Sequence, residues 1–205
     1  MTTQTSAATL RLAVLPRGGL LTDALLVAGG AALVAACAQI SIHLGFTPVP
    51  VTGQTFAVVL VGAALGSVRG TASLLLYVLV GLAGAPVYTE HKHGWDVATG
   101  STGGYLVGFV VAAALTGLLA ERGWDRRISS SVSAMLTGNV VIYVFGVLWL
   151  HHWLGAHDFG RSWNTTLNDG LYPFVPGDIV KLYLAAAALP GAWRLVGAAR
   201  RRTDR

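Results

Sequence analysis

The strongest constraint on this chain is where its charges are missing. No Asp, Glu, Lys or Arg occurs at positions 24–68, 70–89, 97–120 or 128–157. A helix needs about 20 mainly apolar residues to cross a bilayer, and each gap is long enough for one. Only 11% of the 205 residues are charged and 54% are hydrophobic, whereas a soluble domain carries roughly 25% charged residues. Lipid is therefore expected to cover most of the surface. The net charge of +5 does not point to nucleic acid. The arginines stand in short clusters beside apolar runs, as in cytoplasmic loops, and no basic and aromatic stripe accompanies them.

Six spans are expected, near 21–44, 55–68, 70–87, 103–119, 132–153 and 177–196. The second and third are short and Gly-rich, and are open to being tilted, broken or re-entrant. With the N-terminus inside, the inner face holds Arg11, Arg17, Arg69, Arg122, Arg126, Arg127, Arg194, Arg200, Arg201, Arg202 and Arg205. The outer face holds only Lys92 and Arg161. That asymmetry predicts an all-α integral membrane protein, a bundle of six transmembrane helices with both termini cytoplasmic. The expected division is an N-terminal tail at 1–20, a membrane domain at 21–197 and a basic C-terminal tail at 198–205. Long outer loops at 43–54, 88–102 and 152–176 are expected to converge on one face.

Several enzyme classes have no footing here. The chain has no G-x-x-x-x-G-K-[ST] phosphate loop, no H-E-x-x-H zinc helix and no G-x-S-x-G elbow. The six histidines fall near the outer face, where they read as polar residues of a wet loop more readily than as metal ligands. Cys37 follows a run that loosely resembles a lipoprotein cleavage site, but it reads better as a small packing residue within a helix. Small residues recur four apart at Ala28, Ala32 and Ala36, at Ala31 and Ala35, at Gly62, Gly66 and Gly70, and at Gly104 and Gly108. Such stripes let helices approach closely, within one chain or between chains.

Asp178 and Lys181 are the most informative polar pair. Their spacing puts both on one helix face, and both open an apolar span, where charge is expensive and often functional. The alternatives are a helix cap for Asp178 and a snorkelling Lys181. Gln39, Gln54, Asn139 and Tyr143 are other polar residues in apolar context. Tyr105, Tyr172, Phe174 and Trp95 fit either a ligand pocket or an aromatic belt at the lipid boundary.

Three blocks then carry a resemblance. The first is Pro48-Val49-Pro50-Val51-Thr52-Gly53-Gln54-Thr55, continued by Gly66-Ser67-Val68-Arg69-Gly70 and Gly81-Leu82-Ala83-Gly84-Ala85-Pro86-Val87. The second is Ser101-Thr102-Gly103-Gly104-Tyr105-Leu106-Val107-Gly108-Phe109, and the third is Pro176-Gly177-Asp178-Ile179-Val180-Lys181. In order and spacing the chain resembles the BioY family, the biotin-specific S components of energy-coupling factor transporters. It departs from that pattern at Ser101, where proline is common, in the polar stretch 89–97, and in the length of the loop 152–171.

The resemblance implies a non-enzymatic, multi-pass subunit of the cell membrane that binds biotin at its outer face and uses no cofactor or metal. It implies Asp178, Lys181, Tyr105, Gln54, Asn139 and Tyr172 as substrate-binding residues. It also implies a transmembrane coupling subunit and two ATPase subunits as partners, with Ala28, Ala31, Ala32, Ala35 and Ala36 meeting the coupling subunit. An S component for another vitamin, or a solitary carrier working without ATPases, is the alternative.

Overall fold

A computed structural model describes residues 9–15, 19–157 and 162–203, with side chains to residue 198. Arg17, Arg161 and Arg205, and the side chains of Arg200, Arg201 and Arg202, lie outside the described residues. Six principal helices run back and forth: α2 (Leu20–Ala38), α3 (Gln54–Leu65), α4 (Ser67–Leu82), α6 (Gly103–Glu121), α7 (Ile128–Ala156) and α9 (Val175–Thr203). Three short helices sit at their ends: α1 (Leu10–Val14), α5 (Trp95–Thr99) and α8 (Trp163–Gly170). By length and composition α2, α6, α7 and residues 175–198 of α9 can each cross a membrane; α3 and α4 are apolar but shorter. At about 1.5 Å per residue, the 12 residues of α3 rise roughly 18 Å.

The first helix stops six residues before the expected limit of 44. The apolar residues after Ala38 pair instead as a small antiparallel hairpin, β1 (Ser41–Ile42) with β2 (Val51–Thr52), in which Ser41 faces Thr52 and Ile42 faces Val51. Apolar character continues through this segment, so hydropathy alone overran the helix. The third expected span also closes early, at Leu82. Helix α3 ends where Gly66 takes φ +87°, a conformation that favours glycine, and α4 begins at the next residue.

Glycines set the closest approaches. A Cβ on Gly62 would fall on Thr116 and the Ala113 backbone, one on Gly70 would meet Gly62 Cα at 2.7 Å, and one on Gly104 would strike Trp149. The Gly62–Gly70 and Gly104–Gly108 stripes therefore pack helices within this chain. One core, with Val58, Leu74, Tyr77, Phe109 and Ile142, joins α2, α3, α4, α6 and α7. A second, with Val59, Met135, Leu182 and Leu189, seats α9. The alanines of α2 divide between two faces: Ala31 is buried and Ala35 half-buried, whereas Ala28, Ala32 and Ala36 are exposed beside Leu25 and Leu33.

The two ends of the bundle are tied differently. At the end where α2 begins, Asp23 accepts hydrogen bonds from Arg11 of α1 at 2.5 Å and from Arg69 of α4 at 2.8 Å. Glu121 accepts from the Ser67 backbone N–H at 2.8 Å and its hydroxyl at 2.9 Å, a carboxylate at the positive end of α4. Trp193 donates to Asp125 at 2.5 Å, and the Arg126 guanidinium lies 3.7 Å over the Trp193 ring. At the other end, the three long loops converge as expected.

Candidate functional site

The converging loops enclose a cavity of about 590 Å³, within the range of small-molecule sites. Helices α3, α4, α6, α7 and α9 form its walls. The β1–β2 loop and residues 88–102 cover it. Thr47 donates to the Asp169 carbonyl at 2.6 Å and Ser101 to the Pro48 carbonyl at 3.2 Å, so three loops are joined over the opening. Gln39, at the end of α2, donates to the Tyr88 carbonyl at 3.0 Å and accepts from the His91 N–H at 3.1 Å. Glu90 pairs with His43 at 2.6 Å and Lys92 at 3.0 Å. The Lys92 hydrogen bond above all holds the Glu90 carboxyl below its usual range.

Asp178 and Lys181 both line the cavity. Asp178 is 4% exposed. Its Oδ1 accepts from Thr55 of α3 at 3.0 Å and from Lys181 at 2.7 Å, and its Oδ2 accepts from Tyr143 of α7 at 2.5 Å. Lys181 also donates to the Thr52 carbonyl at 2.6 Å. Neither alternative raised by the sequence describes these groups: Asp178 bonds across helices rather than capping its own, and Lys181 turns to the pair rather than outward. The arrangement has capacity to spare. A carboxylate offers about four acceptor positions and an ammonium three protons, and the protein engages three of the first and two of the second.

Gln54 and Tyr105 also line the cavity. The Gln54 amide lies 2.8 Å from the Tyr77 hydroxyl, 3.0 Å from that of Thr52 and 3.2 Å from that of Thr89. The Tyr105 hydroxyl is committed to the Gly170 carbonyl at 2.6 Å, so this residue offers its ring and anchors α8. Phe174 lines the cavity, whereas Trp95 and Tyr172 stand off it, exposed. Asn139 is likewise off the cavity, buried one turn from Tyr143, and its Oδ1 has no hydrogen-bond partner. The structure thus brings together four of the six residues expected at the site and leaves out Asn139 and Tyr172. Sequence reasoning missed Tyr77, Thr55 and Thr89. Tyr77 sits in an apolar run and looks like core until its contact with Gln54 is seen.

The histidines divide by contact. His151 stacks on Trp163 at 3.8 Å, and His157 on Trp153 at 4.4 Å. His91 and His93 reach the cavity rim.

A biotin transporter BioY of Rhizobium etli is 34% identical over 172 residues, which cover 80% of this chain and 89% of that protein. A biotin transporter BioY of Thermotoga maritima is 39% identical over 155 residues, covering 76% and 86%. The crystal structure of the S-component for biotin from an ECF-type ABC transporter shares the fold, with a TM-score of 0.74 over 85% of this chain and 92% of that one at 23% identity. The BioY family profile matches residues 2–198. The chain belongs to the BioY family.

Proposed function

We propose that this chain is the biotin-binding S component of an ATP-driven vitamin uptake system. The observation that carries the reading is the Asp178–Lys181 pair, set in a loop-covered cavity with unused acceptor and donor capacity. A ureido group has N–H donors flanking a carbonyl. Asp178 accepts a ureido N–H, and Lys181 donates its remaining proton to the carbonyl. Charge-assisted bonds of this kind contribute about 1.5–3 kcal/mol each. Tyr105, Phe109 and Phe174 supply apolar walls for the bicycle. Membership of a family whose members in Rhizobium etli and Thermotoga maritima are biotin transporters supports the ligand.

In this reading the chain spans the plasma membrane six times with both termini cytoplasmic, and residues 21–197 form the membrane domain. The charge asymmetry supports that orientation. A transmembrane coupling subunit and two ATPases drive transport, consistent with a chain that carries no phosphate loop. The exposed side of α2, with Ala28, Ala32 and Ala36, is the docking face; Ala31 and Ala35 serve its packing inward.

Calorimetric titration of the purified chain in detergent with biotin, thiamine and riboflavin tests the proposal. Saturable binding of biotin alone is expected. A folded, monodisperse sample that ignores biotin would overturn the substrate.

A further inference from the structure

At the end of the bundle away from the cavity, Asp23 in the first turn of α2 gathers Arg11 of α1 and Arg69 of α4. A guanidinium carries five N–H donors and no acceptor. Among the described residues each of these two gives one hydrogen bond, and both go to Asp23. Arg11 is 6% exposed, and its Nε, like that of Arg69, is buried without a partner among the described residues. Buried donors are nearly always satisfied, so acceptors are short here. Glu121 does not relieve the shortage, because its Oε1 is engaged by the Ser67 N–H and hydroxyl. At this end six described arginine side chains stand against three carboxylates, Asp23, Glu121 and Asp125. The cluster opens outward through Asp23 and Arg69, whose side chains are 29% and 28% exposed. Strongly exposed apolar residues flank it along the chain: Leu20, Leu21 and Leu25 on α2, and Val68 on α4.

We propose that Arg11 and Arg69, held together by Asp23, form a seat for the phosphate of an anionic phospholipid. Guanidiniums pair with phosphate oxygens through strong, often bidentate, charge-assisted bonds. A phosphate supplies the acceptors that Asp23 alone does not. The excess of arginine at this end favours a headgroup with net negative charge over one that also carries a cation. The exposed leucines and Val68 continue from the cluster as an apolar surface for acyl chains, which selects a lipid over free phosphate. The seated lipid bridges α1 to α4 and fixes the level of this end in the bilayer. The inference rests on the six-span reading, which puts this end at the cytoplasmic leaflet, and is independent of biotin.

Native mass spectrometry of the protein released from detergent, after incubation with phosphatidylglycerol or phosphatidylcholine, tests the seat. Wild type is expected to retain phosphatidylglycerol preferentially. Arg69→Gln should cut that preference by roughly fivefold, whereas Arg127→Gln, at an exposed arginine of the same end, should keep it. No preference in wild type, or no loss in Arg69→Gln, would overturn the seat. Equal loss in both variants would also overturn it, leaving only a diffuse positive surface. A rise in melting temperature with inorganic phosphate as large as with phosphatidylglycerol would assign the cluster to a free anion and overturn the lipid. Should Arg69→Gln fail to fold, Arg69→Lys keeps the charge and loses the planar fork; an undiminished preference in that variant would overturn a seat built on two guanidiniums. Biotin titration of the same samples keeps the readings apart: the Kd should not follow the lipid preference, and a wild type that ignores biotin would leave the lipid result standing.

Discussion

Asp178 and Asp23 stand at opposite ends of the bundle, and each gathers donors from more than one helix. Asp23 is held between two guanidiniums, Arg11 from α1 and Arg69 from α4. Asp178 has one cation, Lys181, and two neutral donors, Thr55 and Tyr143. Asp23 is absent from the cavity wall, whereas Asp178 lines it with hydrogen-bonding capacity left over. The contrast separates two uses of the same side chain near an apolar helix end. Where a carboxylate is shared between cations of two helices away from the cavity, the cluster fastens helices. Where polar capacity faces a cavity, the cluster is placed to meet the ligand proposed above.

Substitutions can break or sharpen this contrast. The largest effect on binding is expected from Asp178→Asn, which removes a charged acceptor worth about 1.5–3 kcal/mol. Biotin Kd in calorimetry should rise by roughly ten- to a hundredfold with little change in the melting temperature in detergent. Asp23→Asn should do the reverse, lowering the melting temperature while the Kd stays put; a weakened Kd in a sample of unchanged stability would erase the distinction between the two ends. Tyr143→Phe loses one bond to Asp178, about 1 kcal/mol, and should raise the Kd by roughly fivefold.

The smallest effect concerns the covering loop. Glu90 has its carboxyl lowered by Lys92 and His43, so its pairing favours the closed loop above the ordinary carboxylate range. That contribution is lost as pH falls through the lowered value. Biotin dissociation followed by stopped flow should quicken in acid. Glu90→Gln should be fast at neutral pH and flat with pH over that window.

The helices were legible because gaps without charge report lipid-facing segments directly. Their ends were not. Ile40, Ile42 and Leu44 extend the apolar run past Ala38, and only the pairing of Ser41 and Ile42 with Val51 and Thr52 reveals a hairpin. Spacing singled out Asp178 and Lys181 as two charges on one face of an apolar helix but left a helix cap and a snorkelling lysine open, and it was the resemblance to the BioY family that pointed to a binding role. Asn139 carried a similar signal, a polar residue amid apolar ones, yet it lies off the cavity. Its helical face is fixed by how α7 rotates against its neighbours, which hydropathy does not encode. The five alanines of α2 show the same limit: spacing identified two stripes, and only packing determined that Ala31 turns inward while Ala28, Ala32 and Ala36 face out.

The shortness of α3 has a meaning for the membrane as well. In the six-span arrangement its rise of roughly 18 Å falls well short of a hydrocarbon core about 30 Å thick. Irregular backbone is tolerated at that depth only when shielded by protein or lining a water-filled space. The stretch before α3, from Pro48 to Thr52, meets this condition because it borders the cavity. The half-length helix and the binding chamber therefore imply each other. The chain gives up helix where it needs loop backbone and side chains around a solute, and the vestibule they enclose shelters that backbone from lipid.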